Sequence, residues 1–262
     1  MVQLYDRIGS GYARLRRPDP RLAARIWQAL GAAETVVNVG AGAGSYEPLD
    51  RYVIAAEPSL TMIHQRPRGS APVVRASATH LPFKDTAFAA ALAVLTVHHW
   101  PDRARGLREL ARVSRDRVVV VTWAPACSGF WLIDDYFPAI GELDRRLCPT
   151  AEEFQRALGG LTIRPLPIPH DCTDGFLGAY WRRPHAYLNR EVRNAISAFA
   201  KMAGVEEGLA RLAQDLADGT WQQRHGPLLH QEEFDLGYRI VISGEGMRRS
   251  QRSGDCQRGG AP

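Results

Sequence analysis

The 262 residues predict an α/β fold on a doubly wound, largely parallel sheet, and three observations carry that expectation. The first is the apolar run Val36-Val37-Asn38-Val39, which stops on glycines at 40, 42 and 44. The second is an acid, Glu57, placed seventeen residues after Gly40 at the end of another short apolar run, Arg51 to Ala56. The third is the downstream alternation of apolar runs with an amphipathic helical stretch, which is the rhythm of βαβ units.

Glycine reaches positive φ and has no Cβ, so a chain can turn sharply off a strand there and offer bare backbone to a ligand. Val36 to Ser45 therefore reads as a strand and a nucleoside-binding turn, with Glu57 able to accept two hydrogen bonds from a ribose diol. The bland alternative is a tight turn that binds nothing, and NAD enzymes also set a glycine-rich turn after a strand. The dinucleotide fingerprint is G-x-G-x-x-G, with a helix N-terminus receiving the pyrophosphate. Here the third glycine comes one residue early, as G-x-G-x-G.

Further elements follow in order. Arg75 to Phe83 ends in Leu81-Pro82-Phe83, and Phe88 to Leu95 reads as a strand. Thr96-Val97-His98-His99-Trp100 makes a loop. Asp102 to Val113 reads as a helix with apolar Ala104, Leu107, Leu110, Ala111 and Val113, before the strand run Val118 to Val121.

In this order, residues 1–125 resemble the class I S-adenosylmethionine-dependent methyltransferases, most closely the small-molecule enzymes of the ubiquinone and menaquinone biosynthesis type. Gly40, Gly42 and Gly44 match motif I. Residues 75–83 resemble the D-A-x-x-L-P-F segment, and Thr96 to Trp100 resemble the L-H-H-W loop. The resemblance implies a Rossmann-like, seven-stranded sheet, mostly parallel with the last strand antiparallel. It implies S-adenosyl-L-methionine as cofactor and S-adenosyl-L-homocysteine as product. It assigns the cofactor to Asn38, Gly40, Gly42, Gly44, Glu57, Pro58, Ser77, Ala78 and Leu95. The leading segment resembles Y-D-x-x-x-x-x-Y, whose aromatics, Tyr5 and Tyr12 here, close over the cofactor; both can equally be helix-packing aromatics. Two positions depart from the family pattern. Asn38 stands where motif I commonly has an acid, and Ser77 where an aspartate commonly reaches the adenine; both can accept hydrogen bonds, but neither brings negative charge.

Length allows one α/β core plus a substantial extra element, and 45% hydrophobic content suits a buried core. No apolar run approaches the roughly twenty residues of a membrane span, and the start lacks a secretory signal, so a cytoplasmic protein without membrane contact is expected. Cysteines at 127, 148, 172 and 256 form no C-x-x-C pair, so neither a metal site nor a disulfide framework is signalled. The net charge of +5 invites a nucleic-acid reading, but arginines are spread along the chain apart from Arg14-Arg16-Arg17 and a Gly/Ser/Gln-rich tail, so nucleic acid is not the expected partner. The expected partner is a small-molecule methyl acceptor, on a monomer or homodimer.

Substrate choice should lie beyond residue 125, because the common core holds the cofactor while added elements shape a second pocket. Thr150-Ala151-Glu152-Glu153 is a capping box that opens a helix ending at Gly159-Gly160. Leu161 to Ile168 reads as a sixth strand, at an edge because of its prolines, and Leu236 to Ile242 as the last. Between them, residues 170–233 read as a helical lid with helices near Glu191 to Met202 and Val205 to Leu216. Trp131 to Leu147 is a further helical segment able to wall the same pocket. The domain plan is then a core over 1–125, helices and strand six over 126–169, the lid, a final strand over 234–243 and a disordered tail.

His170, oriented by Asp171 or Asp174 in the turn His170 to Phe176, is one candidate base, and His98 is another candidate base or substrate contact. The bland reading makes the aspartates helix caps and His170 a turn residue. His99 is expected to pack or face solvent, while Trp131, Tyr180 and Trp181 can line an aromatic-friendly pocket, unless they are simply core. The fourth-strand loop lacks the Asn-Pro-Pro-Tyr or Asp-Pro-Pro-Tyr tetrapeptide of enzymes acting on exposed base or amide nitrogens. The function expected is methyl transfer to carbon, oxygen or nitrogen of a small, apolar or aromatic metabolite. Its rivals are a non-catalytic cofactor-binding module, an RNA methyltransferase and a dehydrogenase.

Overall fold

A computed structural model of the chain describes residues 12–124 and 129–244. Tyr5, the side chain of Tyr12, Cys127, Cys256 and the tail lie outside the described residues. The elements in chain order are α1 (Tyr12–Leu15), α2 (Pro20–Ala29), β1 (Thr35–Val39), β2 (Tyr52–Ala56), α3 (Leu60–His64), β3 (Val73–Val74), β4 (Phe88–Val94), α4 (Arg103–Val113) and β5 (Ser114–Trp123). There follow α5 (Pro138–Leu147), α6 (Ala151–Leu158), β6 (Leu161–Pro165), β7 (Ile168–Pro169), α7 (Arg190–Asn194), α8 (Ser197–Ala200), α9 (Val205–Ala217), α10 (Thr220–His225), β8 (Glu233–Phe234) and β9 (Tyr238–Ser243).

Seven strands form one sheet in the order β3-β2-β1-β4-β5-β9-β6, with β9 antiparallel to both β5 and β6. The Rossmann-like sheet expected from the sequence is therefore present, its last strand reversed. The order turns back at β1, which pairs with β2 on one side and β4 on the other, so a crevice opens at the carboxyl ends of these strands. Successive strand residues face opposite sides. Val36, Leu92, Val119 and Ile242 join one buried cluster, whereas Val37, Ala91, Val120 and Val241 join the other.

On the second face lie α4 and α6. Asp102 caps α4 by accepting from Arg105 N–H at 2.9 Å, and Leu107, Leu110 and Val113 are buried along one stripe. Burial of each such side chain contributes about 1.5–3 kcal/mol. Ala104, expected on that stripe, is exposed instead, because it falls on the outer side of the helix. The capping box at Thr150 is formed as the sequence predicts, with reciprocal bonds to Glu153. The edge strand β6 stops at Pro165, and Ile168–Pro169 leave the main sheet to pair with Glu233–Phe234.

Between β6 and β9, two short helices replace the first of the two longer ones expected, and the second is present. The stretch 191–202 breaks at Ala195-Ile196 into α7 and α8, and α9 covers the second expected helix. The insert buries Tyr187, Ile196, Phe199, Leu212 and Trp221 in the same cluster as α2 and one face of the sheet, so it shares its core with the sheet.

The insert is also tied to the N-terminal strap. Asp174, fully buried, accepts from Arg16 Nε at 2.6 Å and from the Tyr46 hydroxyl at 2.7 Å. Gly175 N–H donates to Leu15 C=O at 3.0 Å, and Thr173 N–H to Asp19 at 3.1 Å. Removing one partner of a buried pair strands the other, typically at about 3–5 kcal/mol. Asp174→Ala should therefore lower unfolding free energy by about that amount in urea titration. A loss below about 1 kcal/mol would show that the Arg16 charge is relieved another way.

Candidate functional site

The glycine turn begins where β1 ends. Gly40 N–H and Ala41 N–H both donate to Ala56 C=O, at 2.8 and 3.3 Å, which pins the turn to the end of β2. Gly40, Gly42 and Gly44 have φ of 68°, 53° and 95°, a region that glycine occupies without strain. Gly40 has a further reason to be glycine: a Cβ there would lie 2.1 Å from Thr96 Oγ1. Glu57 then fastens the turn, since its two carboxylate oxygens accept from Gly42 N–H and Ser59 N–H, each at 2.8 Å. A carboxylate has about four lone-pair positions, so one so oriented can still accept from a diol.

A cavity of about 410 Å³ opens against this turn, within the roughly 300–1,000 Å³ range of small-molecule sites. Asn38, Gly40, Gly42, Glu57, Pro58, Ser77, Ala78 and Leu95 all line it. Gly44 sits just behind the wall and donates its N–H to Ala41 C=O at 2.9 Å. The structure adds Arg16, Tyr46, Met62, Thr96, His99 and Trp100 to the lining, none of which the sequence reading assigned to the cofactor.

The two departures from the family pattern have local explanations. Asn38 donates to Glu47 at 3.2 Å, and Glu47 pairs with Arg66 at 2.8 Å, both side chains being buried. An acid thus stands one layer behind Asn38, its charge offset by Arg66. Ser77 Oγ lies 3.0 Å from Thr79 Oγ1 and accepts from Thr79 N–H, which holds the hydroxyl at the cavity wall.

Leu95, directly after β4, has φ 50°, an uncommon conformation for a bulky side chain and one that clusters at functional sites. It is shared with a second, smaller cavity of about 70 Å³, as is Arg16. That cavity is lined by His98, Trp123, Asp144, Cys148, Phe176, Ile196, Ser197 and Tyr238, among others. The neighbouring imidazoles divide between the two: His98 faces the small cavity and His99 the large one, their ring centroids 3.9 Å apart. The single 3₁₀ turn Val97–His99 produces this split, because successive residues on it point about 120° apart. His99, expected to pack or meet solvent, instead borders the large cavity, 3.3 Å through Nδ1 from Lys201 Nζ. Burial pushes His98 down to about 3, with the Lys201 and Arg16 charges adding to the effect, so its ring is neutral near pH 7.

Other predicted residues lie elsewhere. His170 is 3.2 Å from Glu232, and Asp171 pairs with Arg21 at 2.7 Å; neither lines the two cavities. Their turn joins the strap to the insert, which accounts for its ionisable groups. Trp131 and Trp181 are fully buried, Trp131 donating to Trp181 C=O at 2.8 Å and Trp181 to Ile168 C=O at 3.0 Å. Tyr180 lies under the Arg183 guanidinium, 4.8 Å from ring centroid to charge. All three are core or support of the insert and line neither cavity. The segment 131–147 does wall the small cavity, but through Asp144 on α5. Asp144 left a signal in the sequence: it lies four residues after buried Ile140 and four before buried Cys148, a charge on an apolar stripe.

Residues 37–122 match the family model described as a methyltransferase domain. The chain is 31% identical to a solved protein of Anabaena variabilis described as a methyltransferase from an antibiotic biosynthesis pathway, over 88% of this chain and 99% of that one, with a TM-score of 0.81. The chain belongs to the S-adenosylmethionine-dependent methyltransferases. Two more distant structures share the fold. One is an S-adenosylmethionine-dependent methyltransferase of Thermotoga maritima, at 21% identity over 63% of this chain and 84% of that one, with a TM-score of 0.50. The other is the YcgJ protein of Bacillus subtilis, at 16% identity over 85% and 97%, with a TM-score of 0.52. Membership makes this methyltransferase an enzyme whose cofactor is S-adenosylmethionine, and it sets aside the dehydrogenase reading. Among the described residues, no helix is long and apolar enough to cross a membrane.

The large cavity fits that cofactor: the turn at Gly40 and Gly42 offers backbone without side chains at its wall, and Glu57 is already oriented there by two amides. Bound there, S-adenosylmethionine supplies an electrophilic methyl group on a sulfonium sulfur. Gly40→Ala, strained and clashing with Thr96, should abolish calorimetric binding of S-adenosylhomocysteine, and Glu57→Ala should weaken it at least about tenfold. Near-native binding by both variants would exclude this cavity as the cofactor site.

Burial raises Asp144 to about 6, although the nearby Lys201 ammonium pulls the other way. A carboxyl raised on folding destabilises the folded state once ionised, a penalty that grows from about pH 4 to about pH 6 and is then constant. Asp144→Asn should leave stability unchanged at pH 4 and raise it above pH 6, by on the order of 2 kcal/mol. Equal stability of the two proteins at pH 8 would show that the carboxyl is solvated.

Proposed function

We propose that this methyltransferase transfers the methyl group of S-adenosylmethionine to a small acceptor of apolar or aromatic character, whose reacting end enters the small cavity. The observation that supports this reading is the junction at Leu95 and Arg16, where a glycine-walled cavity meets one walled largely by Trp123, Phe176, Leu177, Ile196, Ala198 and Tyr238. Methyl transfer asks mainly that nucleophile, methyl carbon and leaving sulfur be held in line. Two adjoining cavities with a narrow common wall suit that demand. At about 70 Å³, the inner one suits the end of a metabolite and not a folded nucleic acid or protein segment. The description of the Anabaena variabilis relative as a methyltransferase from an antibiotic biosynthesis pathway supports a metabolite acceptor.

The chain's own contribution is to orient and to dry. Glu57 and the glycine turn would hold the nucleoside, Ser77 and Ala78 would border the base, and Leu95 with Thr96 would set the methyl-bearing end toward His98. Apolar walls exclude water, which would otherwise compete with a weak nucleophile.

Ser197 is half-buried in the wall of the small cavity and away from the glycine turn. Ser197→Phe should leave S-adenosylhomocysteine affinity within about twofold of the parent protein. In a screen of small metabolites with methyl-labelled cofactor, it should cut transfer at least about a hundredfold. Undiminished transfer would place the acceptor elsewhere, and a parent protein that binds cofactor without transferring to any acceptor would favour a regulatory module.

A further inference from the structure

The small cavity holds a carboxylate that the family's cofactor machinery does not use. Asp144 enters it from α5, on the stripe that also carries Ile140 and Cys148. Among the described residues, no hydrogen bond or ion pair holds its carboxylate. Keeping an ionisable group unpartnered in an apolar wall is costly, and such groups concentrate where a ligand completes them.

Its surroundings define what that ligand can be. His98 faces the cavity from the turn after β4 and is neutral. Cys148 and Tyr238 face it from the end of α5 and from β9, and burial raises both, so both are protonated. Arg16 comes from the strap, but its charge is taken by Asp174 at 2.6 Å. Lys201, beyond α8, acts on Asp144 through space, and each offsets part of the other's charge. The pocket therefore has little net charge to attract either an anion or a cation, yet it presents a strong acceptor of hydrogen bonds.

We propose that Asp144 receives the proton of the methyl acceptor, and that the acceptor is a neutral molecule presenting an N–H or O–H group to it. This rests on the small cavity being the acceptor site. The lone pair of the acceptor's nitrogen or oxygen forms the new bond to the methyl carbon. The carbon–sulfur bond breaks with its electron pair left on sulfur, and the proton passes from the acceptor to the Asp144 carboxylate, from which it returns to solvent. Among the groups facing the cavity, Asp144 suits the role better than His98, because a base works best when its own proton affinity lies near the working pH, and burial has made His98 a far weaker base.

The probes are phenol, aniline, toluene and benzoate, which share a ring but differ in carrying an O–H, an N–H, no donor or a negative charge. Each is titrated by ligand-observed NMR into the full-length protein saturated with S-adenosylhomocysteine, from pH 5 to 8. Phenol and aniline should bind at least about tenfold more tightly than toluene and benzoate above pH 6, with the margin shrinking as Asp144 protonates. In Asp144→Asn the margin should fall to about threefold or less and lose its pH dependence, and in Asp144→Leu it should vanish while S-adenosylhomocysteine still binds. Toluene binding as tightly as phenol, or a margin untouched by either substitution, would overturn this proposal alone. Failure of all four probes, toluene included, would overturn the small-acceptor reading on which it stands.

Discussion

The buried carboxylate of Asp174 is the interaction on which the arrangement of both cavities depends. Its two oxygens are shared between the Arg16 guanidinium and the Tyr46 hydroxyl, so one side chain joins the N-terminal strap, the far end of the glycine turn and the start of the insert. In sequence Asp174 lies 158 residues from Arg16 and 128 from Tyr46. In space these parts meet at Arg16, which lines both cavities, with Tyr46 in the wall of the large one. Tyr46 reaches Asp174 from a backbone with φ 64°, a conformation unfavourable for an aromatic residue unless its surroundings hold it. The hydrogen bond and the Trp27 indole on the Tyr46 carbonyl, at 2.9 Å, provide that hold.

The part of the molecule that could be read from sequence is the part built by local rules. The glycines at 40, 42 and 44, Glu57 and the strands around them declare themselves through periodicity and turn chemistry, and all fall at the carboxyl ends of β1 and β2. The insert was harder because its helices have four or five residues in α7 and α8, too short for a 3.6-residue pattern to register. Aromatic residues misled for a related reason. Trp131, Tyr180 and Trp181 look like pocket walls, but the two tryptophans are fully buried and Tyr180 packs half-buried against the same core.

Charge was the other source of misreading. The turn at His170 to Asp174 gathers ionisable groups, and the structure spends them on holding elements together: Asp171 on Arg21, His170 beside Glu232, Asp174 on Arg16. Asp144 shows the reverse pattern, a solitary acid among apolar neighbours. A single charge that breaks an apolar stripe points to a ligand more directly than a cluster does, because a cluster can satisfy itself.

The narrow boundary between the cavities has an evolutionary consequence. The linings of the two have Leu95 and Arg16 in common; the remaining walls of the large cavity come from the sheet and its turns, and much of the small one comes from residues 144–198. With the acceptor placed as proposed, substitutions among residues 144–198 can reshape what is methylated without disturbing the donor, so descendants of one ancestral chain can diversify by redesigning half of a site while inheriting the other half intact.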